Sequence, residues 1–285
     1  MEFAKMLYFL DITLERMVGE LDSLGLMDNT LLVLASDNGG CPIYGGSNFP
    51  FRGVKHTLFE GGVRTPAFVY SKSEDIIPLK ARGTEYSDMM HVTDWTPTLA
   101  SVTGIPTDTM GLTLSGFDHW SAITGNRPAG APAIRNELVL NRNSYVYDST
   151  SSSMVLGSTP SGAYIYDGWK INVGDKCTDW FSFNPDDEVH TVECNTGECA
   201  TCTGACDADT SQSNDYLFNL ETDPYETVNL VNAMPEKFTE MRERWDSACV
   251  DEVPSGFKFT DPRAFKTWTR YNDWVVAWLA DETQV

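Results

Sequence analysis

Positive charge is scarce in this sequence. The 285 residues include 20 lysine and arginine residues against 41 aspartate and glutamate residues, a formal net charge of −21 at pH 7. Because nucleic-acid phosphates are repelled by such a surface, we predict that nucleic acid is not the main partner. Long apolar runs are missing too. None approaches the roughly 18–20 residues that cross a membrane, so we predict no membrane span.

Signals for secretion and glycosylation are also missing. Met1 opens directly onto a helical pattern, so the basic and apolar segments of a secretory signal peptide are not visible. No N-x-[ST] sequon occurs anywhere in the chain. Glycosylation therefore gives no support for an oxidising compartment.

Cysteine, by contrast, is present in number. Four of the 7 cysteines form the pattern C-x4-C-x2-C-x3-C, at Cys194, Cys199, Cys202 and Cys206. Four thiols at this spacing can hold zinc or an iron–sulfur cluster, form disulfides or stay free. The segment Asp175–Glu226 contains 13 acidic residues and a single lysine, and this negative charge disfavours a thiolate-rich metal cluster. We therefore predict disulfides, which imply an oxidising compartment.

The first third of the chain has the pattern of an α/β domain. Apolar residues recur at three- and four-residue steps from Phe3 to Leu24, which predicts an amphipathic helix with Gly25 as its C′ residue. The continuous apolar run Thr30–Ala35 then predicts a strand that is buried on both faces. Helix, short turn and buried strand together indicate the α/β class.

Turn signals and alternating apolar residues define the remaining elements. We predict strands at 65–70, 137–141, 163–166, 169–173 and 216–220, and helices at 94–102 and 235–249. Asp167-Gly168, between two alternating runs, predicts a hairpin. The Ser-, Thr- and Gly-rich segment 143–162 predicts a surface loop or a boundary. We accordingly assign residues 1–150 to the α/β domain. Residues 151–285 are assigned to a small domain with an antiparallel sheet, a Cys-rich acidic loop and an aromatic tail.

Chemically useful side chains follow the predicted strand at 30–35. Asp37 and Asn38 lie where α/β sheets bind ligands, and their oxygens suit Ca²⁺ or Mg²⁺, although Asp-Asn-Gly is also ordinary turn chemistry. Lys55 lies in a segment, 52–82, with six basic and three acidic residues, and its point charge suits an anion. His56 can approach the same site. A solvated surface loop is the alternative interpretation of this segment.

Three glycine-rich motifs surround these residues. They are Ser-Asp-Asn-Gly-Gly at 36–40, Gly-Gly-Ser-Asn-Phe-Pro-Phe-Arg-Gly-Val-Lys at 45–55 and Leu-Phe-Glu-Gly-Gly-Val-Arg-Thr-Pro at 58–66. In this order they resemble the sulfatase family, and most closely its arylsulfatase B type. Further matching motifs are Asp-Trp-Thr-Pro-Thr-Leu at 94–99, Gly-Phe-Asp at 116–118, Arg-Asn-Glu-Leu at 135–138, Gly-Trp-Lys at 168–170, Leu-Phe-Asn-Leu at 217–220, Asp-Pro-Tyr-Glu at 223–226 and Asp-Pro-Arg-Ala at 261–264.

The resemblance implies a fold and a function. The fold is the C-terminal part of an alkaline-phosphatase-like α/β/α sandwich, followed by a small domain with an antiparallel sheet and a packed helix. The function is metal-assisted hydrolysis of the sulfate ester of a small molecule or glycan, in a secreted, lysosomal or other endomembrane protein. Asp37 and Asn38 would be two ligands of Ca²⁺, and Lys55 would contact the sulfate oxygens. Asn48 would orient the loop or serve as a plain turn residue.

The family's nucleophile is not found in these 285 residues. Sulfatases use a formylglycine made in a C/S-x-P-x-R motif, and no cysteine here fits it. The segment Ser158–Gly162 imitates the serine form but has glycine at the arginine position. We therefore expect a partial sulfatase that is inactive by itself, with the formylglycine half missing. Loss of that half should also leave an open sheet edge and uncovered apolar faces.

Two other functions remain open from the sequence. The chain could be a non-catalytic relative that binds sulfated glycans through Lys55 and its basic neighbours. It could also be a metal-dependent phosphoesterase of the same superfamily, because Asp37-Asn38 alone does not distinguish sulfate from phosphate. The Gly-Gly-Ser-Asn motif followed by Lys55 disfavours the phosphoesterase.

Overall fold

The structure, a computed structural model, describes residues 2–41, 44–148, 153–174, 194–195, 198–199 and 215–251. The helices are α1 (Glu2–Ser23), α2 (Glu60–Val63), α3 (Trp95–Thr103), α4 (Trp120–Ile123) and α5 (Pro235–Ala248). The strands are β1 (Leu32–Ala35), β2 (Ala67–Tyr70), β3 (Glu137–Asp148), β4 (Ser153–Tyr166), β5 (Trp169–Val173), β6 (Cys194–Asn195), β7 (Glu198–Cys199) and β8 (Tyr216–Asn219). Short 3-10 helices cover Met27–Asn29, Leu79–Ala81, Val92–Asp94 and Thr107–Met110.

The chain divides into two compact units. The larger contains residues 1–142 and 159–251, and the smaller contains residues 143–158 and 252–285. The described part of the smaller unit consists of the adjoining ends of β3 and β4. The domain boundary at residue 150 stays a prediction.

Helix α1 ends as the sequence predicts. Gly25 has a left-handed backbone with φ of 69°. Its N–H donates to the carbonyl of Asp22 at 3.0 Å, and the N–H of Leu26 donates to that of Leu21 at 2.9 Å. These two bonds form a Schellman cap, which suits glycine because a Cβ disfavours positive φ.

Strands β1 and β2 form a two-stranded antiparallel sheet with Leu32 opposite Tyr70 and Ala35 opposite Ala67. The prediction that β1 is buried on both faces is wrong, because Val33 is 38% exposed. On β2, Phe68 is 50% exposed. No third strand pairs with β1 or β2 among the described residues. The apolar run identified a strand correctly, but it carried no information on what covers that strand.

The apolar face of α1 is exposed as well. Met6 and Phe9 are 68% and 65% exposed, and Leu7, Leu10 and Met17 are also exposed. The expectation of uncovered apolar faces is therefore confirmed for α1, β1 and β2. No described helix is long and apolar enough to cross a membrane.

The second sheet has the strand order β3-β4-β5-β8, and both the β4–β5 and β5–β8 pairs are antiparallel. Asp167 and Gly168 connect β4 to β5 with φ values of 49° and 75°, as a hairpin turn with two positive-φ residues requires. Helix α5 packs its fully buried Met241 and Trp245 against this sheet. The predicted hairpin, antiparallel sheet and packed helix are confirmed.

For segment 143–162 the predicted surface loop is wrong, whereas a boundary between the two units does fall there, at residues 142/143 and 158/159. Instead of a surface loop, β3 continues to Asp148 and β4 begins at Ser153. Serine, threonine and glycine are tolerated in a strand when a neighbouring strand satisfies the backbone groups, so composition alone did not distinguish strand from loop. The aromatic tail from Phe257, together with Cys202 and Cys206, lies outside the described residues. Cys194 and Cys199 are opposite each other in the β6–β7 ladder, and the disulfides stay a prediction.

Candidate active site

The segment that carries Asp37, Asn38 and Lys55 closes on itself. We define the site loop as residues 36–41 and 44–62. The N–H of Gly39 donates to the carbonyl of Gly62 at 2.9 Å, and the N–H of Lys55 donates to the carbonyl of Gly40 at 3.1 Å. These bonds bring Lys55 next to the strand end that carries Asp37 and Asn38, as a shared site requires.

Asn48 cross-links the site loop. Its Oδ1 accepts from the N–H of Gly40 at 2.7 Å, and its Nδ2 donates to the carbonyls of Gly40 and Gly53 at 2.9 and 3.2 Å. One side chain thus satisfies three backbone groups in two separate segments of the loop, at Gly40 and Gly53. Asn48 therefore orients the loop.

Glycine is required where the site loop crosses itself. A Cβ on Gly39 would lie 1.8 Å from the carbonyl oxygen of Gly61, and a Cβ on Gly62 would lie 2.3 Å from that of Thr57. Gly53 has φ of 90°, and a Cβ there would lie 2.5 Å from Thr57 Oγ1. The paired glycines of the motifs are thus explained by close backbone approach.

Asp37 and Asn38 offer hard oxygen ligands at the carboxyl end of β1. Asp37 is exposed and its Oδ1 accepts from the N–H of Asn38 at 2.9 Å. The Nδ2 of Asn38 donates to the carbonyl of Gly39 at 3.0 Å. Their donor chemistry suits Ca²⁺, but this ion takes about 6–8 oxygens. Within the described residues no group of three or more His, Cys, Asp or Glu side chains could hold a metal. These two residues alone do not make a complete calcium site.

Lys55 and His56 lie in a tight turn of the site loop. Lys55 is half-buried and His56 is exposed. The turn is fixed by Thr57, whose Oγ1 accepts from the N–H of Val54 at 3.1 Å and donates to its carbonyl at 2.8 Å. His56 has φ of 75°, an uncommon backbone for a residue with a side chain. Such strain is often found beside functional residues.

The nearby arginines do not form a continuous cationic patch. The guanidinium carbon of Arg52 lies 4.6 Å from the ring centroid of Phe59, and Nη1 donates to the carbonyl of Glu226 at 3.4 Å. Arg64 stacks on Phe51 at 5.0 Å, and its Nη1 lies 3.6 Å from a Glu60 carboxylate oxygen. Both guanidinium groups therefore pack on aromatic rings of the protein and interact with Glu226 or Glu60. Lys55 is the basic residue of the site loop that the sulfatase resemblance assigns to an anion.

Three buried charged residues lie behind the site loop. We call Glu60, Lys170 and Glu226 the buried charge cluster. The Nζ of Lys170 lies 2.8 Å from Glu60 Oε1 and 2.8 Å from Glu226 Oε1. The second oxygen of Glu226 accepts from the N–H of Glu60 at 2.6 Å. All three side chains are buried. Sequence reasoning missed this cluster, although each member belongs to a different motif quoted above.

The pKa values of Lys170 and Glu226 are both raised. Burial by itself lowers the pKa of Lys170, but the neighbouring carboxylates of Glu226 and Glu60 outweigh it and raise that pKa above its ordinary value. Burial raises the pKa of Glu226, against the opposing effect of Lys170. Lys170 is therefore charged at neutral pH, and its charge opposes the effect of burial on the pKa of Glu226.

A second buried network joins three other motifs. Asp94 accepts from Arg135 at 2.9 Å (Nε) and 2.5 Å (Nη2), and from the N–H of Phe117 at 2.8 Å. His119 Nδ1 lies 2.6 Å from the hydroxyl of Tyr86, and its Nε2 lies 3.3 Å from Asp94. Burial lowers the pKa of His119, so this ring is neutral at pH 7. Although burial opposes it, the bond to Arg135 lowers the pKa of Asp94.

The chain is similar in sequence to known sulfatases. Residues 2–105 match the sulfatase family model. Arylsulfatase J of Mus musculus is 29% identical over 268 residues, which cover 92% of this chain and 42% of the relative. Steryl-sulfatase of Rattus norvegicus is 35% identical over 109 residues, 35% of this chain and 18% of the relative. N-acetylgalactosamine-6-sulfatase of Homo sapiens is 40% identical over 65 residues, 21% of this chain and 12% of the relative.

Solved structures show the same fold. Ps i-CgsB in complex with k-i-k-neocarrahexaose gives a TM-score of 0.59 at 21% identity, covering 94% of this chain and 48% of that chain. The architecture is thus the alkaline-phosphatase-like α/β fold of sulfatases. The chain is thus similar to sulfatases, in sequence over residues 2–105 and over most of its length to arylsulfatase J. It spans less than half the length of the arylsulfatase J and Ps i-CgsB chains that it matches.

Proposed function

We propose that this chain supplies the sulfate-binding side of a sulfatase active site, which hydrolyses a sulfate ester. The observation that carries the proposal is the hydrogen bond from the N–H of Lys55 to the carbonyl of Gly40. It holds a cationic side chain in the same closed loop as two hard oxygen ligands, Asp37 and Asn38. This arrangement supports a site for an anionic group and a divalent cation.

Lys55 is given the electrostatic role. A sulfate ester is a permanent anion, and negative charge shifts onto its leaving oxygen as the ester bond breaks. A lysine ammonium held in place stabilises charge on the sulfate oxygens without reorganising. His56 is the second candidate contact, since it follows Lys55 in the same strained turn. Asp37 and Asn38 would hold Ca²⁺ together with ligands from outside the described residues, and the ion would supply Lewis-acid chemistry.

We further propose that these 285 residues do not turn over sulfate esters by themselves. The chain contains no C/S-x-P-x-R motif from which formylglycine could be made. Without a nucleophile, positioning and electrostatics alone leave the rate many orders of magnitude below that of an enzyme. The formylglycine would come from a segment outside this sequence.

A titration of the purified chain with inorganic sulfate tests the binding role. We expect chemical-shift changes in the amide groups of Gly40 and Lys55. Lys55→Met should weaken sulfate binding about tenfold or more, because hydrogen bonds to a charged group contribute ~1.5–3 kcal/mol. Lys72→Met is the matched control, since Lys72 is an exposed lysine ion-paired with Asp22 at 2.6 Å. Equal affinity of the Lys55 variant and the wild type would reject the assignment.

A turnover assay with 4-nitrophenyl sulfate, with and without Ca²⁺, tests the inactivity. We expect no release of nitrophenol above the uncatalysed rate. Release at rates typical of enzymes, roughly 1 per second or faster, would show that a nucleophile exists within these residues.

Non-catalytic binding of sulfated glycans is the second candidate function. It is favoured by the combination of an intact Lys55 turn and no nucleophile motif. The chain would then be retained on a heparin-like column at low salt and eluted as salt screens the charges. Flow-through at low salt would reject it. A parallel titration with inorganic phosphate separates the third candidate, a phosphoesterase, which should prefer phosphate to sulfate.

The names of the relatives set the range of substrate classes. N-acetylgalactosamine-6-sulfatase names a sulfated amino sugar and steryl-sulfatase a sulfated sterol. For this chain we accordingly propose a sulfated small molecule or glycan as partner, in a secreted or lysosomal setting.

A further inference from the structure

We propose that Lys170 is a positioning residue that holds the site loop in its anion-binding geometry by clamping Glu60 and Glu226. This inference rests on the proposed function, because it concerns how Lys55 is placed. Lys170 itself touches neither Lys55 nor an assigned ligand residue. Its effect is transmitted through the backbone that follows Glu60.

Glu60 is connected directly to the crossing point of the site loop. The next residue, Gly61, donates its N–H to the carbonyl of Arg52 at 2.6 Å. Gly62 accepts from the N–H of Gly39 at 2.9 Å. A displacement of Glu60 therefore shifts the two contacts that close the loop around its Lys55 turn.

The buried charge cluster fixes Glu60 at both its side chain and its backbone. Lys170 Nζ holds the carboxylate at 2.8 Å, while Glu226 accepts from the Glu60 N–H at 2.6 Å. Lys170 lies on β5 of the second sheet, and Glu226 lies in the segment that follows β8. The sheet thereby acts as the platform on which the site loop rests.

Aromatic packing beside the cluster strengthens this attachment. Phe59 packs edge-on against Tyr216 and Phe218, with ring centroids 5.1 and 6.1 Å apart. Phe59 is fully buried, as is Lys170. Apolar packing supplies the attraction but is tolerant of small shifts. The two short ion pairs of Lys170 Nζ fix the positions of Glu60 and Glu226 more narrowly. Buried ion pairs can specify a geometry even where they add little to stability.

Hydrogen exchange at two backbone amides, one in the site loop and one remote from it, tests the positioning role independently of function. The N–H of Lys55 bonds to Gly40 inside the site loop, and the N–H of Ile105 bonds to Ala100 at 2.9 Å at the end of α3. Hydrogen exchange at Lys55 measures local opening, whereas exchange at Ile105 follows a remote part of the same unit. Comparison of the two amides separates a local effect from general destabilisation.

The test uses the full chain with Lys170→Met and Glu226→Gln, read by hydrogen exchange and by sulfate titration. We expect Lys170→Met to speed exchange at Lys55 about tenfold or more relative to Ile105, because it leaves two buried carboxylates without their cation. Sulfate affinity should fall in parallel. Glu226→Gln keeps an acceptor for the Glu60 N–H and should give a smaller change in both readouts. It also keeps the test decisive if Lys170→Met does not fold.

The failures of the two proposals are distinguishable. If the wild type binds no sulfate, or Lys55→Met binds it equally well, the proposed function fails and the exchange ratio still decides whether the cluster holds the loop. If Lys55 and Ile105 change equally, or if sulfate affinity is unchanged in folded Lys170→Met and Glu226→Gln, the positioning role is wrong. Recovery of affinity and protection in Lys170→Arg would show that a cation at this position is what matters.

Discussion

Helices α1 and α5 differ in the burial of their apolar side chains. On α5, Met241 and Trp245 are fully buried against the second sheet. On α1, Met6 and Phe9 remain mostly exposed. Both helices have apolar residues at helical spacing, so periodicity reveals that a face requires a partner without identifying that partner. The comparison shows that α5 has its partner among the described residues, whereas no described element covers the face of α1.

The same contrast separates the two sheets. The second sheet contributes Tyr164, Ile171 and Leu217 to a closed core. Strands β1 and β2 leave Val33 and Phe68 exposed. The site loop connects β1 to β2 of the first sheet and packs on the second sheet. Its Glu60 is paired with Lys170 of β5, and its Phe59 packs against Tyr216 and Phe218 of β8. We infer that the loop owes its order mainly to the second sheet.

The largest expected effect is at the buried helix. Trp245→Ala should destabilise the chain by about 3–5 kcal/mol, since it removes a large buried side chain and leaves a cavity. Urea unfolding monitored by circular dichroism measures the change in the free energy of unfolding. A loss below about 1 kcal/mol would show that α5 and the second sheet are not a tightly packed core.

Removal of the loop's cross-link should have an intermediate effect. Asn48→Ala leaves the N–H of Gly40 without its acceptor and removes the bonds to the carbonyls of Gly40 and Gly53, of which that of Gly40 keeps its bond from Lys55. It should cost about 1–3 kcal/mol. Because the loss is local, hydrogen exchange at Gly40 and Lys55 should accelerate more than exchange in α3. Asn126→Ala, on an exposed turn that bonds Lys80, is the control and should leave exchange in the loop unchanged. Equal acceleration in both variants would contradict the role of Asn48.

The buried histidine predicts a pH dependence of stability. Burial lowers the pKa of His119 below 6.5, so the unfolded chain binds a proton more readily than the folded one. Its contribution is therefore fully present above about pH 6.5 and is lost as the pH falls through the lowered value in the folded state. Burial lowers the pKa of His91 as well, with the same sign.

Urea midpoints measured between about pH 7.5 and pH 5 check this dependence. His119→Gln keeps a hydrogen-bond donor and an acceptor at the position of the ring. It should reduce the slope of the urea midpoint against pH. An unchanged slope in this variant would assign the pH dependence to other groups.

The smallest effect is expected on the exposed face. Leu7→Ala on α1 should change the free energy of unfolding by less than about 0.5 kcal/mol, because its side chain is already half exposed. A loss comparable to that of Trp245→Ala would show that the face of α1 is covered in solution and would remove the contrast between the helices.

Local rules predicted much of this fold. The Gly25 cap, the Asp167-Gly168 hairpin and helix α3, predicted at 94–102, all follow from residues close in sequence. What failed depended on distant partners. The exposure of Val33 depends on whether another element packs against that face of β1. Segment 143–162 contains strand because of pairing that composition does not encode.

The candidate site shows the same division between residues close in sequence and distant partners. Asp37, Asn38 and Lys55 were identified by motif, and the Lys55–Gly40 bond shows how they come together. The buried charge cluster was missed because Glu60, Lys170 and Glu226 are far apart in sequence and only the fold brings them into contact. The available signal was a charged residue inside a predicted strand, Lys170 in Trp-Lys-Ile-Asn-Val.

The central claim is that Lys55 and its loop bind a sulfate group. It is tested most directly by the ratio of sulfate dissociation constants for Lys55→Met and Lys72→Met, measured by NMR titration of the same 285-residue chain. We predict that Lys55→Met binds about tenfold or more weakly, while Lys72→Met binds as the wild type does. Equal affinities for the two variants would contradict the account.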